Sequence, residues 1–365
     1  MALLSNAGSF PPIKFSYMEN EFGANPTRSL GAYRVSETIG GLTVPTIGWT
    51  ATKSMPIPNS GPIKFSDFYR KMLITVVDLH SGGETLRQNI RNNYNANNVR
   101  VVGGFRSRPT DTGEDSGAGC VRGKYVIARV NKKIGSVKAS NDKSKVALRT
   151  GSWDANTELE INIGSSGSIY GAGGDAGNGG WNCNGNNNAP NNATSALGIE
   201  YFSGNATKVI NGGRIQCGYG GGGGGGQGAC NPDKSTNDPR QNGSGGGGGA
   251  GYPPGLGGLA GAGDADMVGS NGNNATNNVR GLGGAGGSNG CAFGGKGGDG
   301  GDSSVAAQSG NNGGETDRGY GKACEKVGGS PGYNGDAIRV VSGSGSYSVS
   351  GNSALGNVVT GSSVS

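Results

Sequence analysis

Glycine constrains this chain more than any other feature: 79 of its 365 residues are glycine, and 57 of those lie between Gly164 and Gly335, in runs broken by Asn-, Asp- and Ser-rich stretches. Ordinary usage is roughly 7%. Glycine has no side chain to bury and loses the most backbone entropy on folding, so this half cannot build a conventional core. It is either a disordered linker or ordered by other means. Tyr252-Pro253-Pro254, Leu256, Leu259, Cys291-Ala292-Phe293 and Tyr333 punctuate the runs at particular places, whereas a disordered Gly/Ser linker would be monotonous. The order open to such a sequence is polyglycine II, in which rods in the polyproline II conformation pack where Cβ is absent and bond laterally through N–H and Cα–H to C=O. Collagen would need glycine at strict third positions and abundant proline, but the chain has 14 prolines and no such period.

An apolar fraction of 32% confines any ordinary core to the segments before Gly164. No apolar run approaches the ~18 residues of a membrane span. The start, Met1-Ala-Leu-Leu-Ser-Asn6, lacks the pattern of a secretory signal, which predicts a soluble protein made in a cytoplasm. Six cysteines, at 120, 183, 217, 230, 291 and 324, show no CxxC spacing, so zinc and thiol-redox chemistry have no support. The net charge is +6, and nine basic residues between Arg122 and Arg149 (Arg122, Lys124, Arg129, Lys132, Lys133, Lys138, Lys143, Lys145, Arg149) face one acid, Asp142. Such a patch could meet nucleic acid or an anionic surface. Only Tyr125 interrupts it as a stacking aromatic, so a solvated face of a β-module is the better reading and no nucleic-acid partner is expected.

Along the chain, Pro12-Ile-Lys-Phe-Ser16 recurs as Pro62-Ile-Lys-Phe-Ser66, and residues 1–70 read as an extended arm with short helical turns that clips onto something larger. Residues 71–163 read as a small β-rich module. Strands are expected at 72–77, 99–102, 124–130, 144–148 and 159–163, and an amphipathic helix over 84–94, with Leu86, Ile90 and Tyr94 at i, i+4 and i+8. Beyond Gly164, rods are expected at 171–180, 218–228, 243–251, 255–263, 281–287, 294–301 and 319–335. Strands at 197–210 and 214–217 should be joined by a tight turn at Asn211-Gly212-Gly213, and a last strand is expected at 336–341.

The connections alternate long and short: long at 181–195, 229–242, 264–280 and 302–318, short at 211–213, 252–254 and 288–293. Rods running up and down would put all the long loops at one end. Loops shown on a rigid scaffold are the usual seat of recognition, and structureless loops of this length are uncommon without a function. Cys183 and Cys230 would then lie at the same end and could pair if the protein works outside a cell.

The phrases Leu159-Glu-Ile-Asn-Ile-Gly-Ser-Ser-Gly-Ser-Ile-Tyr-Gly-Ala-Gly-Gly174, Ala206-Thr-Lys-Val-Ile-Asn-Gly-Gly-Arg-Ile-Gln-Cys-Gly-Tyr-Gly-Gly221 and Gly332-Tyr-Asn-Gly-Asp-Ala-Ile338 resemble the glycine-rich domain of bacteriophage tail-fibre proteins and adhesins. The resemblance covers roughly residues 150–345. Pro62-Ile-Lys-Phe-Ser-Asp-Phe-Tyr69, Phe22-Gly23 and Ser29-Leu-Gly-Ala-Tyr33 also look like short motifs at the starts of phage virion proteins. The resemblance implies a polyglycine-II sandwich with receptor-contacting loops at its tip, and an arm over 1–70 that attaches to other tail or fibre proteins. The distal adhesins of that family have no matching arm.

Enzyme chemistry is not expected. His80 is the single histidine, and no Ser/His/Asp or Cys/His arrangement can be assembled. Gly294-Gly-Lys-Gly-Gly-Asp299 lacks the Ser/Thr and the strand–helix setting of a phosphate loop, and Gly297-Gly-Asp-Gly-Gly-Asp302 is one imperfect copy of a calcium β-roll repeat. No cofactor and no metal are expected. An ice-binding surface would need a flat Thr/Ala face, which the spacing does not provide.

The expected fold class is therefore mainly β and irregular. It comprises an arm (1–70), a β-rich module (71–163), a polyglycine-II sandwich with long loops at one end (164–345) and a tail (346–365). The expected function is that of a virion tail-fibre adhesin recognising an outer-membrane protein or polysaccharide of the bacterial surface, and the alternative is a structural collar, adaptor or decoration component. A homo-oligomer is possible. Candidate receptor contacts are Trp181, Asn184, Tyr201, Phe202, Asn231, Lys234, Asn237, Arg240, Met267, Asn273, Asn277 and Asp317, because aromatic and amide side chains suit adaptable contact.

Overall fold

A computed structural model describes a short hairpin, β1 (Thr38–Ile39) and β2 (Leu42–Thr43), Pro62, and most of residues 71–360. Residues 80–84, 87, 96–98, 108–123, 139–141, 154–156, 181–188, 201–206, 230–239, 262–268, 289–291, 316–326, 342–346 and 361–365 lie outside the described set, as does the rest of 1–70. Most of the expected arm, and His80, fall there.

The chain winds through three parallel sheets in turn, one strand to each sheet per coil. The first coil is β3 (Lys71–Asp78), β4 (Thr85–Leu86) and β5 (Gln88–Asn89). Helix α1 (Ile90–Asn95) and β6 (Val99–Ser107) follow, and β6 lies antiparallel on β3 at the edge of the first sheet. The second coil is β7 (Lys124–Val130), β8 (Lys133–Gly135) and β9 (Val146–Arg149). The third is β10 (Thr157–Ile163), β11 (Ser168–Tyr170) and β12 (Ser195–Ile199).

The fourth coil opens with β13 (Thr207–Asn211) and β14 (Arg214–Gln216), then leaves for the glycine-rich segments. Those carry two small antiparallel pairs, β15 (Gly228–Ala229) with β16 (Arg240–Gln241) and β17 (Ala292–Phe293) with β18 (Gly314–Glu315). The coil closes at β19 (Asp336–Val340). The fifth coil is β20 (Tyr347–Gly351), a bridge from Leu355 to Gln216, and β21 (Asn357–Thr360).

Alternation inside each strand explains the core. In β10, Leu159, Ile161 and Ile163 point inward between Glu158, Glu160 and Asn162, and parallel register stacks like on like. One column runs Val77–Ala128–Ile161–Val209 and a second Leu148–Leu197–Ile338, all fully buried. Ile134–Ile169–Ile215 forms the third. The corner between the first two sheets also repeats. Gly164, Gly212 and Asn352 each donate a backbone N–H to the strand end one coil back, at Val130, Ile163 and Asn211.

This architecture corrects the expected fold class. Three parallel sheets organise the molecule, not a polyglycine-II sandwich, and their strands come from both sides of residue 164. The expected helix over 84–94 is also corrected. Thr85–Leu86 and Gln88–Asn89 pair in parallel with β8 and β9, so among the described residues of that span only those from 90 onward are helical, because tertiary pairing overrides a short i, i+4 pattern. The single strand expected over 197–210 is two strands in different sheets, and Asn211-Gly212-Gly213 is a corner between parallel sheets, not a hairpin turn.

Candidate binding surface

The glycine-rich segments leave the third and fourth coils at the same corner, after β11 and after β14, and return at β12 and β19. Backbone bonds spaced three residues apart fix their directions. Gly174, Gly177 and Gly180 donate to Tyr219, Gly222 and Gly225, so 171–180 and 218–228 run outward side by side. Tyr219, Gly222 and Gly225 donate to Ala250, Gly247 and Ser244, so 243–251 runs back. Followed through, the described residues make outward passes at 171–180, 218–228, 255–261, 281–287 and 307–313, and returns at 191–194, 243–251, 269–276, 294–301 and 327–335.

The turns near the sheets are short: 252–254, then Thr276 to Val279 closed by the Thr276 N–H on the Val279 carbonyl, then Asp302 to Val305. The described passes end away from the sheets at 180, 189, 229, 240, 261, 269, 288, 292, 315 and 327, and the distal connections 181–188, 230–239, 262–268, 289–291 and 316–326 lie outside the described residues. Three passes were invisible to the glycine count. The expected long loops 181–195, 264–280 and 302–318 contain the extended segments 191–194, 269–276 and 307–313, in which Asn, Ser, Thr and Gln take exposed or half-exposed positions in place of glycine. The connection 288–293 consequently joins the distal end and not the sheet end.

Asp and Asn side chains close the outer faces. Asp175 and Asn178 accept the N–H groups of Leu256 (2.7 Å) and Leu259 (2.8 Å), and Asn274 and Asn271 accept those of Gly257 and Ala260 (both 2.8 Å). Asn192, Asn312 and Asn334 do the same for Tyr333, Gly328 and Gly220. The sequence signal for Asp175 with Asn178, and for Asn271 with Asn274, is an Asx pair three apart. Leu256, Leu259 and Leu282 are more than half exposed on the passes that flank Asn271 and Asn274.

Among the described residues, an ion pair between Arg280 and Asp302 lies at the sheet end. Asp302 accepts from Ser304 Oγ (2.6 Å), the N–H groups of Ser304 (2.8 Å) and Val305 (3.0 Å), and Arg280 Nη1 (3.0 Å). Burial opposes ionisation of this carboxyl, but the Ser304, Arg280 and Val305 bonds outweigh it and hold the group well below the usual carboxylate range. Burial pushes the Cys217 thiol up to about 12, so it is an inert core group beside Tyr219 and Ala250.

Five residues of the basic patch are engaged inside the molecule. Lys133 lies over the Tyr252 ring (4.6 Å) and Lys143 over Tyr333 (5.1 Å), Lys138 pairs with Asp175 (2.6 Å), Lys145 with Asp142 (3.6 Å), and Arg149 with Glu200. The first three of these fasten the glycine passes to the second coil.

Of the candidate contacts, Trp181, Asn184, Asn231, Lys234, Asn237, Met267 and Asp317 belong to the distal connections, outside the described residues. Tyr201 and Phe202 are also outside them, between β12 and β13. Arg240 opens β16 at the distal end. Asn273 is exposed along a return pass, its N–H on the Leu282 carbonyl and its carbonyl accepting from Gly248. Asn277 sits at the sheet end, where its carbonyl accepts from Gln216 Nε2 at 3.1 Å. Cys183 and Cys230 lie outside the described residues. Among the described residues no group of His, Cys, Asp or Glu could hold a metal ion, and no helix is long and apolar enough to cross a membrane. No protein-family model, no curated protein and no solved structure matches the chain.

Proposed function

We propose that the chain is a virion tail-fibre protein that acts as a receptor-binding adhesin. Its distal connections recognise an outer-membrane protein or polysaccharide of the bacterial surface, and residues 1–70 join it to other tail or fibre proteins. The observation that supports this is that the described passes end away from the sheets, at 180, 189, 229, 240, 261, 269, 288, 292, 315 and 327, on one end of a scaffold cross-linked by backbone hydrogen bonds. A rigid scaffold lowers the ordering cost of binding and leaves the connections free to vary in sequence. Trp181, Asn184, Asn231, Lys234, Asn237, Arg240, Met267 and Asp317 are the residues best situated for contact.

The reading is tested by replacing 230–239 and 262–268 with Gly/Ser connectors of equal length and measuring adsorption of the resulting particles to the propagating host. Intact particles that no longer adsorb are the expected result. Unchanged adsorption would leave the chain a structural collar, adaptor or decoration component.

A further inference from the structure

Among the described residues, one exposed aromatic side chain stands at the distal end of the glycine passes. Phe293 closes β17 and heads the return pass 294–301, and it is 39% exposed. Its antiparallel partner in β18 is Gly314, where a Cβ would lie 2.7 Å from Cζ at the tip of the ring. β15 packs against the same pair, and a Cβ on Gly228 would lie 2.2 Å from the Phe293 carbonyl oxygen. Glycine at 314 and 228 therefore lets the ring and its strand settle against bare backbone. The ring is seated before a ligand arrives, which lowers the ordering cost of binding.

Three connections begin or end at this cluster: 230–239 follows β15, 289–291 precedes β17 and 316–326 follows β18. Their sequences contain no Leu, Ile, Val, Met, Phe or Trp and are rich in Asn, Asp, Lys, Ser and Thr. A protein–protein interface is built on an apolar centre with several aromatic or aliphatic anchors. One ring beside connections of hydrogen-bonding composition suits a sugar instead. The C–H face of a sugar stacks on an aromatic ring, while its hydroxyls exchange hydrogen bonds with amide, carboxylate and ammonium groups. We propose, on the footing of the adhesin reading, that Phe293 is the stacking platform of a saccharide site and that the receptor is a surface polysaccharide, not an outer-membrane protein.

Adsorption of intact particles to the propagating host tests it. Purified surface polysaccharide of that host is expected to block adsorption of the parent, and protease digestion of the host's outer-membrane proteins to leave it unchanged. Phe293→Leu, which keeps apolar bulk but not the ring, is expected to lower adsorption about tenfold or more, whereas Phe293→Tyr adsorbs like the parent. Protected amides at Gly295 and Gly298, which donate to Gly226 and Gly223, show that the passes are intact in both variants. Parent adsorption that the polysaccharide fails to block, or Phe293→Leu particles that adsorb like the parent, would each overturn the proposal. The polysaccharide arm decides it alone if Phe293→Leu does not assemble. Unchanged adsorption after replacement of 230–239 and 262–268 would instead remove the adhesin reading itself.

Discussion

Between Gly222 and Gly225 a methyl group on each successive residue would meet a different neighbour. The added carbon would lie 2.1 Å from the Gly298 oxygen at 222, then 1.9 Å from those of Gly329, Asn178 and Gly295 at 223, 224 and 225. Every third residue faces the same pass, so a central segment surrounded on all sides tolerates no side chain at any position. This is the physical reason for an unbroken glycine run, and it separates this run from the peripheral passes where Leu, Asn or Ala recurs. Gly224→Ala should lower stability by about 3 kcal/mol or more, since overpacking a yielding core already costs about 1–3 kcal/mol and here the obstacle is backbone. Thermal melting checks this, with Ala285→Ser, on an exposed position, expected to melt with the parent.

Asp302 supplies a second test at the residue scale. Its carboxyl is held below the ordinary value of 3.8, so its contribution is present in full above that pH and is lost as the pH falls below it. The melting-temperature gap between Asp302→Asn and the parent should therefore narrow on acidification; a gap that stays constant would show that the carboxylate charge is not what holds the Asp302 to Val305 turn.

At the scale of elements, the sequence carried the strands well where an apolar/polar alternation was long. β7 has its expected bounds, and β10 extends the expected strand by two residues. The same reading failed where two short strands pair only through the coil, as in β4 and β5, because a two-residue strand has no periodicity of its own. It also failed at the passes 269–276 and 307–313, whose amide-rich exposed positions look like loop. Asn271 and Asn274 show what those amides do: each replaces the backbone partner that an outermost pass lacks. The double variant Asn271→Ala/Asn274→Ala should cost about 1–2 kcal/mol in all, at about 0.5–1.5 kcal/mol per hydrogen bond with discount for exposure. Chemical denaturation measures it, and no change would mean that water serves the Gly257 and Ala260 amides equally well.

At the scale of the whole molecule, the coil repeat is present in the sequence but its period is not. Ile161, Val209 and Val349 occupy one column, yet the intervals between them differ because the glycine-rich passes interrupt the third and fourth coils at the same corner. A search for fixed spacing therefore sees no solenoid. The phrases that carried the resemblance to phage tail fibres, from Leu159 and from Ala206, are the strand–corner–strand starts of two consecutive coils, each leading into a glycine pass. The candidate contacts were legible only as far as the sorting of connections by length. That sorting took 264–280 and 302–318 as whole loops although they contain the passes 269–276 and 307–313, and it assigned Asn277 to the wrong end.

The central claim is that the glycine-rich half is an ordered insertion held by backbone hydrogen bonds to the corner of a parallel β-coil. Amide hydrogen exchange resolved to single residues tests it most directly. Gly222, Gly223, Gly225 and Gly226, which donate to Gly247, Gln308, Ser244 and Asn311, are predicted to exchange as slowly as the amides of β13. Exchange of those four amides at the rate of an unstructured chain, with β13 still protected, would contradict the account.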